Sequence, residues 1–175
     1  MKVIKWLEEH FEEYILIVLS VLTVIIVFTQ VFMRYVLGES LTWSEEVARY
    51  LFIWMIYVGI SYGVKKEKHL GVDAFPMLFE KKGKIIIDMI ASFSFLLFAV
   101  IMTYYGFDIV LKVTRESAAL ELPLEWVYAA PVVGMILTSI RLIQKLVRLV
   151  NQLKTLNQPN FDQSEEKTDL REEIV

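Results

Sequence analysis

The chain of 175 residues contains no cysteine. That excludes a disulfide framework, a thiolate metal site and quinone-linked thiol oxidation. Histidine is nearly as scarce, with His10 and His69 the two present, and neither lies inside a long apolar run. A membrane haem protein needs axial ligands within its helices, so haem is excluded, and no His, Glu or Asp spacing suits a metal. Charge of one sign is also lacking. The formal net charge is −3, which offers nothing to a nucleic acid. What the chain has in excess is apolar sequence, at 56% of its residues. These residues stand in blocks rather than at the periodic spacing of a soluble domain, and that pattern belongs to a bilayer.

Four runs have the roughly 20 residues needed to cross about 30 Å of hydrocarbon. They cover about 14–35, 47–64, 85–107 and 124–147. The fold expected is an all-α membrane protein with four transmembrane helices. The fourth run is the weakest, because its uncharged stretch, Trp126 to Ile140, has only fifteen residues; snorkelling of Arg141 and Lys145 extends it. The first run has no small-residue cleavage site and reads as an anchor that stays. With the N-terminus inside, fourteen lysines and arginines fall on the inner side and four on the outer: Arg34, Arg49, Lys112 and Arg115. Both termini are therefore expected in the cytoplasm, as in an inner-membrane protein.

Residues 1–13 predict an amphipathic helix lying on the membrane, with Val3, Ile4, Leu7 and Phe11 on one face and Glu8, Glu9, Glu12 and Glu13 away from it. In loop 65–84, Asp73 can cap a short helix that starts near Pro76 and turns Phe75, Leu78 and Phe79 to the membrane. The polar tail 151–175 is expected to be disordered.

The most informative stretch is GESLTWSEEVARYLFIW, Gly38 to Trp54, where charges gather as the chain re-enters apolar sequence. Thr42 and Glu45 have the spacing of a capping box. Glu45 and Glu46 fall in the first helical turn, where the helix dipole favours acids, and Arg49 can pair with either. The segment is thus a capped helix start at the interface, or a set of charges facing a protein partner. A catalytic role is excluded by the lack of a nucleophile or histidine beside the acids. Asp88 lies one turn into the third run beside Lys84, so no acid sits at mid-membrane depth to relay ions.

Small residues mark close helix packing: Gly59 and Gly63 on the second span, Ala130 and Gly134 on the fourth. Pro131 is expected to kink the fourth span. Trp6, Tyr14, Tyr35, Trp43, Trp126 and Tyr128 form an aromatic belt near the boundaries, and Trp54 is a mid-span packing residue. A membrane chain with anchored ends and no pathway or active site has the profile of a subunit.

Over about residues 10–150 the chain carries Arg34-Tyr35 with Gly38, then Ser40-Leu41-Thr42-Trp43-Ser44-Glu45-Glu46 and Ala48-Arg49, then Trp54 and Gly59. Further on come Lys68-His69-Leu70-Gly71-Val72-Asp73, and Leu122-Pro123 with Trp126, Tyr128 and Pro131. With these motifs it resembles the small membrane subunit (DctQ type) of the tripartite ATP-independent periplasmic (TRAP) transporters. The resemblance implies a non-catalytic subunit that scaffolds a large, elevator-type membrane subunit, with a periplasmic binding protein as third component and lipid around it. No cofactor is expected in this chain, and sodium would bind the large subunit. The cargo implied is an organic acid, sialic acid first and a C4-dicarboxylate next. Arg34, Trp43, Glu45, Glu46 and Arg49 become candidates for contact with the large subunit or for bracing the small one, and loops 36–46 and 108–123 would face the side where the binding protein docks.

Two rival readings make different demands. A free-standing four-helix transporter or channel acting as a homo-oligomer needs an acid at membrane depth, which the spans lack. A membrane enzyme or haem carrier needs cysteine or intramembrane histidine.

Overall fold

Hydrocarbon offers the backbone no water, so an apolar run must satisfy its N–H and C=O groups internally, and a helix does so within one segment. The computed structural model describes residues 2–66 and 81–156, leaving aside the side chains of 2–9 and 81. Within them lie four long helices: α1 (Lys2–Phe32), α2 (Thr42–Lys65), α3 (Lys81–Lys112) and α4 (Glu125–Leu156). All four are long and apolar enough to cross a membrane. Asp73, Pro76 and their expected short helix lie outside the described residues, as does the tail from 157 on.

Two boundaries differ from those read off the sequence. No glycine or proline stands between Lys2 and Phe32, so the amphipathic segment and the first span form one uninterrupted helix. α4 likewise runs on to Leu156, six residues into the segment read as tail.

α1 ends in a π turn, Met33–Leu37. Gly38 follows in the left-handed region, with φ of 74°, and its N–H donates to the Met33 carbonyl. The Glu39 N–H donates to the same oxygen at 3.1 Å, so the Met33 carbonyl takes both N–H groups as the chain turns.

The helices pack in the order α1 on α2, α2 on α4 and α4 on α3. This is an open row, with α1 and α3 at its edges. The tightest approach joins the two inner helices: a Cβ placed on Gly134 would lie 2.6 Å from Tyr57 Cβ and 2.8 Å from its carbonyl oxygen. Ala130, one turn earlier, is fully buried. Gly59 faces Leu16 of α1 at an ordinary 3.9 Å, and Gly63 is half-buried. No residue in the most apolar stretch of α1 is buried. In lipid that costs little, because acyl chains solvate leucine as well as another helix does.

Candidate functional site

Two carboxylates turn into the row, one at each end of α2. Glu46, in the first turns of that helix, is 8% exposed. One of its oxygens accepts the Ala118 N–H at 3.1 Å, and the other accepts Ala119 and Leu120, both at 3.2 Å. These three donors belong to the loop between α3 and α4. The loop is closed on itself by Ser117 N–H to the Leu122 carbonyl at 2.8 Å and by Leu124 N–H to the Arg115 carbonyl at 2.9 Å. Glu121 takes the left-handed conformation there, with φ of 51°. Glu46 thereby does for this loop what an N-cap does for a helix, with the added strength of a full charge.

The other expected residues of this segment separate. Glu45 accepts the amide of Gln30, on α1, at 2.9 Å. Arg49 lies 3.9 Å from Glu46 with 63% of its side chain exposed, its guanidinium 5.8 Å from the Tyr50 ring centroid. Arg34 sits 5.9 Å from the Tyr35 ring centroid; both are exposed, as is Trp43. The expected capping box is not formed. Leu41 occupies the cap position without a side-chain bond; Ser44 Oγ donates to the Leu41 carbonyl at 2.7 Å. The helix starts one residue earlier than the box requires, so Thr42 is its first residue and not its cap.

At the other end of α2 lies a cluster that the sequence reading missed. Glu12, placed on the polar face of a surface helix, is fully buried. Its Oε1 accepts Ser61 Oγ at 2.9 Å and Arg141 Nε at 2.7 Å, and its Oε2 accepts Lys65 Nζ at 2.9 Å. The cation side chains are 12% exposed for Arg141 and 16% for Lys65. Arg141, expected to snorkel outward, instead turns inward, and its Nη1 also donates to Gln144 at 2.9 Å. Burying one charge alone is costly, but a carboxylate shared by two cations and a hydroxyl has its charge compensated and most of its lone pairs used. One signal was available: Ser61 and Lys65 stand four apart on one face of α2, and Glu12, Lys65 and Arg141 each mark the cytoplasmic end of a span.

Between α3 and α4 runs an open groove of about 610 Å³, lined mainly by Val100, Tyr104, Phe107, Val132, Ile136 and Ile140. Its threonine and serine hydroxyls are already in use: Thr103 donates to the Ala99 carbonyl and Ser139 to the Met135 carbonyl, each at 2.8 Å. Asp108 is paired with Lys112 at 2.6 Å. The groove suits acyl chains, not a hydrophilic acid. Among the described residues, no group of His, Asp and Glu could hold a metal. The buried carboxylates Glu12 and Glu46 hold helices and a loop together.

The family model for the DctQ component of tripartite ATP-independent periplasmic transporters matches residues 23–152. The chain is 29% identical, over 82% of its length, to the isethionate TRAP transporter permease protein DctMQ of Oleidesulfovibrio alaskensis, of which it spans only 24%. It is 26% identical to the C4-dicarboxylate TRAP transporter small permease protein DctQ of Vibrio cholerae, over 78% of this chain and 69% of that one. With the sialic acid TRAP transporter small permease protein SiaQ of Vibrio cholerae it shares 23% identity over 89% of both chains.

Proposed function

The chain belongs to the DctQ component family of the tripartite ATP-independent periplasmic transporters, and from that premise we propose that it scaffolds a large elevator-type membrane subunit during sodium-coupled uptake of an organic acid. As a member of that family it is a multi-pass inner-membrane transporter component and not an enzyme. The observation that carries the scaffold reading is the use made of its buried carboxylates. Glu12 and Glu46 each accept three hydrogen bonds from donors of this chain, a use that holds structure together and does not bind or relay an ion. An open row of helices also leaves apolar surface on both faces, as a subunit that packs on another does.

The partners proposed are the large membrane subunit and a periplasmic substrate-binding protein. The 24% share of the isethionate permease supports the first, because there a much longer polypeptide carries a segment like this chain. Arg34, Trp43 and Arg49 are proposed as contacts with the large subunit, while Glu45 and Glu46 brace the small one. Loops 36–46 and 108–123 face the docking side of the binding protein. The relatives are named for isethionate, C4-dicarboxylates and sialic acid, so substrate choice is assigned to the partners. Sialic acid is the first cargo to test and a C4-dicarboxylate the next.

The test is co-purification of the chain with the large permease, then uptake in proteoliposomes driven by a sodium gradient in the presence of the binding protein. Uptake should need all three components. Transport by the chain alone overturns the reading.

A further inference from the structure

We infer that Glu12 is a positioning residue whose shared carboxylate selects the place of α1 in the helix row and so completes the surface offered to the large subunit. The inference rests on the scaffold reading above. Its starting point is a problem that lipid creates. Apolar helix faces gain little from each other in hydrocarbon, so a helix as uniformly apolar as α1 has no strong preference for one neighbour. No residue of its most apolar stretch is buried. α1 packs along α2 over much of the span but through apolar faces: Leu16 lies 3.9 Å from where a Gly59 Cβ would sit, and the side-chain hydrogen bond within the span is the weak one from Ser20 Oγ to Met55 Sδ at 3.1 Å. The Gln30–Glu45 bond at the far end is exposed.

Glu12 supplies what those contacts do not. Its carboxylate bonds to Ser61 and Lys65 of α2 and to Arg141 of α4 at once, and these groups are anchored on two helices that already touch at Gly134 and Tyr57. Directional, charge-assisted bonds have one geometry, so they set both the neighbour and the height of α1 in the membrane. Selecting a register is the best-attested use of a buried ionic group.

The chain has no cysteine, so spin labels can be placed cleanly on two exposed residues, Val18→Cys of α1 and Ile136→Cys of α4. Their separation is measured in lipid nanodiscs, in the chain alone and bound to a cysteine-free large subunit. One narrow distance population is expected for the parent. Glu12→Gln should give a broader population shifted to longer distance, and a lower uptake rate with unchanged KM. Because Glu12→Gln removes the charged acceptor that two cations share and could fail to fold, Glu12→Gln with Lys65→Met and Arg141→Met is the second arm, expected to fold and to keep the broad population. A distribution in Glu12→Gln identical to the parent overturns the assignment; so does a narrow, parent-like one in the triple variant. Should the chain fail to bind a large subunit, the scaffold reading falls, while the distances in the chain alone still decide the role of Glu12.

Discussion

Arg141 on α4 donates its Nε to Oε1 of Glu12 on α1 at 2.7 Å, joining residues 129 positions apart. The two partners are not equivalent. Removing Arg141 leaves the carboxylate with Lys65 and Ser61, whereas removing Glu12 takes away the acceptor that all three donors share. Breaking a buried pair costs about 3–5 kcal/mol in soluble proteins, but single polar contacts between membrane helices average only about 0.6 kcal/mol. The cluster is buried yet lies at the cytoplasmic end of the bundle, which argues for the lower range. Arg141→Met should therefore destabilise by about 1 kcal/mol and Glu12→Met by clearly more, measured by unfolding in mixed detergent micelles. Equal losses, or the reverse order, would contradict a shared carboxylate.

Glu46 holds three loop N–H groups with one charged side chain. Glu46→Gln keeps one acceptor oxygen and introduces a donor where donors already converge. A lost charged hydrogen bond costs about 1.5–3 kcal/mol, so amide exchange at Ala118, Ala119 and Leu120 should rise about tenfold or more, while α2 exchange changes little. Unaltered exchange at those three amides counts against the cap.

The α2–α4 contact has no room at Gly134. Gly134→Ala forces its methyl group against Tyr57 Cβ and backbone and should cost about 1–3 kcal/mol as overpacking. Gly59→Ala, facing Leu16 at 3.9 Å, should be tolerated. Thermal inactivation of the two variants, compared in one detergent, tests the contrast.

Arg49 is mostly exposed, unlike its neighbour Glu46, so its removal should spare the fold. Arg49→Ala is expected to lower uptake and weaken co-purification with the large subunit, leaving thermal stability within about 0.5 kcal/mol of the parent. With Glu46→Ala added, uptake should fall further, and the affinity of the binding protein for substrate should stay as it was. Normal assembly and uptake in the double variant would overturn the role of this segment in contact with the large subunit.

Helix number, approximate spans and fold class could be read from the blocks of apolar residues, because hydrocarbon leaves an isolated span no alternative to a helix. The motif from Ser40 to Arg49 was sufficient to suggest the family. Its local chemistry was less legible. Thr42 and Glu45 have capping-box spacing, yet the helix starts at Thr42 with Leu41 at the cap, and Glu45 accepts from Gln30 of another helix. Glu12 was assigned to a polar face because near-neighbour spacing says nothing of a residue 129 positions away.

Membership of the membrane class and the inward bias of lysine and arginine are properties of composition and order along one dimension, and no contact is needed to express them. Which helix neighbours which, and whether an acid near a span's end faces water or the interior, depends on distances between segments remote in sequence. Lipid widens that gap, since apolar faces are nearly interchangeable in it and a few polar groups decide the pairing. Glu12 and Glu46 make that decision here, and their roles came into view only once Arg141 and the 118–120 loop were in place around them.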